Sequence, residues 1–334
     1  MEKLLEDSEI SCAVFDETVA NPTVANVEAA RALYLNEHCQ ALIAFGGGSS
    51  MDCAKAVGAR IARPQKPLSK MEGILHVLHK LPLLIAIPST AGTGSETTLA
   101  AVITDEKTHH KYPINDFSLI PAYAVLEPEV TLGLPASLTA TTGMDALTHA
   151  IEGYITKAAW ELSDMFEIEA IRLINKYLRT AVYDPKNPKG RSGMALAQYV
   201  AGMAFSNVGL GVVHGMAHPM GSLFDIPHGV ANALLLPTIM EFNKPVCIEK
   251  YVEIAKAMDA YKDGMTKAEA AQAACDAVRA LAIEVGIPQH LSDLGITEKD
   301  IDALADQAIE DVCTPGNPRL VTRQDIVDLY KKVL

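Results

Sequence analysis

ALIAFGGGSSMDCAKAVGARIA, residues 41 to 62, decides the fold class. ALIAF is an apolar run of strand length, Gly46-Gly47-Gly48-Ser49 is a tight turn, and MDCAKAVGARIA has the apolar spacing of a helix. Strand, glycine turn and helix in that order are the unit from which parallel sheets are built. LPLLIAIPS (81–89) predicts a second buried strand running into the small-residue loop TAGTGSETT (90–98). AAVITDEKTHHKYPI (100–114) predicts a hairpin around Asp105 to Thr108, and SLIPAYAVLEP (118–128) closes the unit. After Leu134-Pro135 the strand-like runs give way to helical periodicity that lasts to the end of the chain. The expected architecture is an α/β dinucleotide-binding domain over residues 1–134, followed by an all-α domain over 135–334.

A length of 334 residues favours two domains and a cleft between them. The formal charge of -13 argues against a nucleic-acid partner, which needs Lys and Arg to replace phosphate counterions. Six cysteines without a CxxC pair indicate neither a zinc knuckle nor a disulfide framework and fit a reducing cytoplasm. MEKLLEDSEI has no basic segment followed by an apolar one, and no apolar run is long enough to span a bilayer, so neither export nor membrane anchoring is expected.

Three constellations carry chemistry. Gly46-Gly47-Gly48-Ser49 offers backbone N–H groups at a helix start, a seat for a pyrophosphate, although such a turn also serves as a simple connection. Asp52 and Lys55, three apart on that helix, read as a solvated ion pair. Ser89-Thr90-Ala91-Gly92-Thr93-Gly94-Ser95 follows the next strand, where open α/β sheets bind ligands. In the helical half, Asp145 and His149 in TGMDALTHAIEGY (142–154) are four apart, on one helix face. His214 and His218 repeat that spacing, and His228 follows. One such histidine is ordinarily a hydrogen-bonded core residue, but one carboxylate with three imidazoles makes an N3O set for Fe(II), Zn(II) or Mn(II). Spacing does not choose between His214 and His218. His38, His76, His79 and His290 lie in polar, surface-like segments, whereas His109 and His110 precede Lys111 in the hairpin, where an exposed lysine is the ordinary reading.

GGGSSMDCAKA, IPSTAGTGSETT, TGMDALTHAIEGY, FSNVGLGVVHGMAHPMG, PHGVANALLLP and DVCTPGNPR together resemble the iron-containing (group III) alcohol dehydrogenases, most of all the branch acting on lactaldehyde and 1,2-propanediol. The resemblance implies a dehydroquinate synthase-like fold in which NAD(P) and a metal meet between the domains. It implies Asp145, His149, His214 and His228 as metal ligands, with His218 near the nicotinamide and substrate. It places the pyrophosphate on Gly47, Gly48 and Ser49, Asp52 near the nicotinamide end, and Ser89, Thr90, Thr93, Thr98 and Lys111 on the nucleotide. Family members carry roughly fifty more residues at the N-terminus, about one βα unit with its lead-in. The first strand, whose end discriminates NAD from NADP, is therefore expected to be missing, with apolar sheet exposed in consequence.

The expected activity is hydride transfer between a small alcohol or diol, or its aldehyde, and NAD, with NADP not excluded. The metal, Fe(II) or alternatively Zn(II), acts as a Lewis acid, and His218 relays the proton. A homodimer is what the family suggests. The competing readings are a zinc-dependent polyol dehydrogenase, a metal-dependent hydrolase or lyase holding a substrate phosphate, and a non-catalytic remnant.

Overall fold

The computed structural model describes residues 1–108 and 110–334; the hairpin reading of His109 lies outside the described residues. The chain divides into two compact units, one of residues 1–89 and 95–127, the other of 90–94 and 128–334.

The first unit contains α1 (Glu2–Glu6), α2 (Val24–Asn36), β1 (Ala41–Gly46), α3 (Gly48–Ala62), β2 (Gly73–Ile74), β3 (Leu83–Pro88), β4 (Ala100–Asp105), β5 (His110–Asn115) and β6 (Tyr123–Ala124). β1, β3 and β6 form a parallel sheet in that order, while β4 and β5 pair antiparallel as the expected hairpin, with β2 on the far side of β5. β1 and β3 run in register from Ala41 opposite Leu83 to Gly46 opposite Pro88, so both end at the same level. Ser89 N–H donates to the Gly46 carbonyl at 2.8 Å and ties the two departing loops together. Gly46 has φ +151°, and a Cβ there would run into the Ser50 side chain, so the turn into α3 requires glycine. Among the described residues β1 pairs only with β3, and Ile43, Phe45 and Leu83 stay exposed on this sheet.

Asp116, only 2% exposed, organises the loop beneath the hairpin. One of its carboxylate oxygens accepts Val77 and Leu78 N–H, both at 2.9 Å, and the other accepts Ser118 N–H and Oγ–H. Burial raises its pKa, but the hydrogen bonds from Ser118, Leu78 and Val77 outweigh that and hold it below the usual value. A carboxyl with a lowered folded pKa stabilises above its unfolded pKa and loses that contribution as pH falls through the folded one. Asp116→Ala is therefore expected to cost about 1–3 kcal/mol at neutral pH, with the gap to wild type closing in strong acid. Urea unfolding followed across acid pH checks this, and a gap independent of pH would contradict it.

The second unit is helical: α4 (Ala136–Ile155), α5 (Glu161–Tyr183), α6 (Pro188–Val208), α7 (Val212–Phe224), α8 (His228–Asn243), α9 (Ile248–Ala257), α10 (Lys267–Glu284), α11 (Ile301–Glu310) and α12 (Arg323–Lys332). α4 is its central element, buried continuously from Gly143 to Ile155, which explains why its sequence is apolar nearly all round. Such a helix is wrapped by neighbours, so its few polar side chains must find partners inside the core. Gly229 lets the start of α8 approach α4 closely, since a Cβ there would stand 2.6 Å from the Thr141 carbonyl. Among the described residues no single helix is long and apolar enough to cross a membrane.

Candidate metal centre

α4 presents Asp145 and His149 one turn apart, α7 contributes His214, and His228 is the first residue of α8. One ligand atom from each of the four lies within 4.8 Å of the others. Asp145, His149 and His214 are buried, and His228 is half-buried.

Glu152, one turn beyond His149 and 1% exposed, orders this set. Its carboxylate accepts Val213 N–H at 2.7 Å and the His214 Nδ1–H at 2.6 Å. The anion thereby caps the first turn of α7, whose N-cap Gly211 has no side chain to do so, and fixes the His214 tautomer with its lone pair on Nε2. Burial pushes the Glu152 carboxyl up to about 7, against the pull of the hydrogen bonds from Val213, Gly211 and His214. Burial also lowers the His214 pKa well below the usual value, with His149, His228 and His218 adding to the effect. His149 is lowered too, by burial, against the pull of Asp145 and the backbone of Gly92. Neutral imidazoles are the form that binds a metal.

Two observations show that the set fits a divalent cation. His149 Nδ1 is buried without a hydrogen-bond partner. The amide of Asn232, one turn after His228, donates to Asp145 Oδ1 at 2.8 Å and stands 3.0 Å from Nε2 of both His214 and His228. One nitrogen atom that close to all three means that Asp145 Oδ1 and the Nε2 atoms of His214 and His228 surround a common point. A donor set of three nitrogens and one oxygen suits Fe(II) or Zn(II).

His218 stands apart from this group. Its Nδ1 is 2.7 Å from Asp311 Oδ2, and its ring stacks on His228 with centroids 5.5 Å apart.

In the first unit, Gly47 is the N-cap of α3, Gly48 its first residue, and Ser49 Oγ accepts Asn21 N–H at 3.3 Å. Lys111, exposed on β5, donates to Asn21 Oδ1 at 2.8 Å, so Asn21 links the glycine turn to Lys111. Ser89 and Thr98 belong to this unit, while Thr90 and Thr93 cluster with the helical one.

The reading of Asp52 and Lys55 as a solvated pair is corrected. Lys55 is fully buried and donates to Ser95 Oγ, to the Thr98 carbonyl and Oγ1, and to the Ala100 carbonyl, all within 3.1 Å. Asp52 accepts Ser95 Oγ–H and Val102 N–H. The face of α3 that bears both residues packs against the 95–102 segment, so the lysine replaces water for carbonyls that would otherwise be buried unpaired. Burial lowers the Lys55 pKa to about 8, with Asp52 and Glu96 opposing the shift. Glu152, Asn232, Asp311 and the buried role of Lys55 carry no local signal in sequence; only the three-residue step from His149 to Glu152 hints at a shared helix face.

The model of the iron-containing alcohol dehydrogenases matches residues 1–128, and that of the C-terminal part of the Fe-containing alcohol dehydrogenase family matches 139–334. The chain is 47% identical over 322 residues to lactaldehyde reductase of Escherichia coli (strain K12), covering 96% of this chain and 84% of that one. A crystal structure of a 1,3-propanediol oxidoreductase superposes with a TM-score of 0.97 at 39% identity, covering 99% of this chain and 87% of the other. The structure of sulfoacetaldehyde reductase from Bifidobacterium kashiwanohense in complex with NAD+ gives 0.89 at 31% identity, covering 99% and 86%. The chain belongs to the iron-containing alcohol dehydrogenase family. Its activity is accordingly that of an oxidoreductase interconverting an alcohol and its carbonyl compound.

Proposed function

We propose that this protein interconverts a small primary alcohol or diol and its aldehyde, with NAD as hydride carrier and Fe(II) as the metal. The observation that carries this reading is the convergence of Asp145, His149, His214 and His228 on one point, with two of the imidazoles held neutral by burial. These four side chains would hold the cation. When bound, the cation supplies Lewis acidity toward the substrate oxygen and the nicotinamide carries the hydride. Gly47, Gly48 and Ser49 would bind the pyrophosphate at the start of α3, and Asp52, Ser89, Thr90, Thr93, Thr98 and Lys111 the rest of the nucleotide. Kinship with an NAD+-bound reductase and with a lactaldehyde reductase supports NAD and a short substrate. All six cysteines are free thiols, which suits a reducing cytoplasm that also keeps iron in the ferrous state.

His218 would move the proton between the substrate oxygen and solvent: it is half-buried beside His228, and Asp311 orients its ring. His218→Ala is expected to lower kcat about 100-fold while the bound metal stays at the wild-type level; undiminished turnover at every pH would remove His218 from the mechanism. The reading as a whole is tested by anaerobic loading with Fe(II) or Zn(II), following NAD(H) and NADP(H) absorbance with 1,2-propanediol, short alcohols and their aldehydes. Turnover that follows metal occupancy supports it. Nucleotide neither bound nor reduced, with metal in place, would favour a hydrolase or lyase.

A further inference from the structure

We propose that His218, Asp311 and Cys313 form a second site, for a thiophilic divalent cation, and that a cation held there switches turnover off. The inhibitory half rests on the role given to His218 above; the binding half does not.

An imidazole nitrogen, a carboxylate oxygen and the thiol sulfur of these residues lie within 4.8 Å of one another. Zinc bonds of about 2.0–2.3 Å set tetrahedral ligand atoms about 3.5 Å apart, so movements of about an ångström suffice, the His218–Asp311 pair opening from 2.7 Å as the wider-spaced atoms close. The local fold builds the bite. Asp311 follows the last turn of α11, and its Oδ1 accepts Cys313 N–H at 2.8 Å, which turns the chain and brings the thiol back beside the carboxylate. Its Oδ2 meets His218 from the middle of α7. All three side chains are partly exposed, so water can complete the coordination.

One nitrogen, one oxygen and one sulfur make a softer set than the N3O cage and favour zinc or cadmium over magnesium or calcium. Burial, with Asp311 and Glu152 nearby, holds the Cys313 thiol well above its usual pKa. A dication offsets that carboxylate repulsion. As the sulfur–metal bond forms, the S–H bond breaks and its proton leaves to solvent, while His218 binds as the neutral ring; no oxidant or reductant takes part. An imidazole so engaged no longer relays a proton.

The test uses the metal-loaded enzyme carrying Cys12→Ser and Cys39→Ser, because these two are the other thiols that are not buried. Cadmium is titrated in while the ultraviolet thiolate-to-cadmium band and turnover are recorded, with elemental analysis confirming that the original metal is retained. The cage contains no sulfur, so the band reports the second site alone. The expected result is one further equivalent with a band, and turnover lower by about tenfold or more. Adding Cys313→Ser removes the band and the inhibition and leaves basal activity unchanged. A band that survives Cys313→Ser, no band in excess cadmium, or a complete band with turnover untouched would each overturn the proposal. Should the enzyme reduce no nucleotide at all, the function above fails, and the band still judges the binding.

Discussion

Asp145→Ala and His228→Ala are each expected to lose the bound metal and, with it, activity by about three orders of magnitude. That estimate takes about 4 kcal/mol for the polarisation a metal gives a reacting oxygen, at about 1.4 kcal/mol per factor of ten. The two variants differ in what else they do. Asp145 is buried, and its Oδ1 accepts the Asn232 amide, so its removal leaves a buried donor short of a partner and costs about 1–3 kcal/mol of stability besides. His228 has 39% of its side chain exposed, and its truncation leaves water to fill the gap. His228→Ala should therefore keep the wild-type unfolding temperature of the metal-free protein while its metal content falls. Elemental analysis after dialysis, beside thermal unfolding of the metal-free forms, separates the two effects. Wild-type metal content in both variants would sink the ligand assignment.

The parts of the site legible in sequence are those in which one element supplies the whole pattern. Strand, Gly46-Gly47-Gly48 and helix are consecutive, and Asp145 with His149 needs only the helical repeat, so the turn into α3 and the carboxylate–imidazole face of α4 follow from local spacing. His214 and His218 show where that ends. Both stand on α7 one turn apart, and periodicity treats them alike. Neighbours distant in sequence distinguish them: Glu152 holds His214 Nδ1, whereas Asp311 holds that of His218. Lys55 fails for the same reason, because an i,i+3 pair looks solvated until the 95–102 segment folds over it. The short piece Thr90–Gly94, without periodicity of its own, takes its place in the helical unit through contacts such as Gly94 N–H to Gln198 Oε1 at 2.7 Å.

Glu152→Ala is the second large effect, and it joins fold and site in one side chain. Its removal leaves the N–H groups of Val213 and His214 and the His214 Nδ1–H without their acceptor in a core that water does not reach. Leaving a buried neutral donor unpaired costs about 1–3 kcal/mol for each group, so a loss of several kcal/mol is expected. The imidazole then has no reason to keep its proton on Nδ1, and the metal-facing lone pair is present in only part of the population. Outer partners of ligating histidines are worth about 10–100-fold in metal affinity, and a loss of that size is expected here. Glu152→Gln rescues only in part: with its carbonyl toward Val213 its amide faces the His214 Nδ1–H, and with its carbonyl toward His214 its amide faces the Val213 N–H, so one contact is lost in either orientation. Its metal affinity should lie between those of the wild type and the alanine variant. Competitive metal titration, together with urea unfolding of the metal-free forms, tests both halves. A large stability loss with wild-type metal affinity would reduce Glu152 to a cap for α7, because a residue that only capped the helix would leave the His214 tautomer untouched.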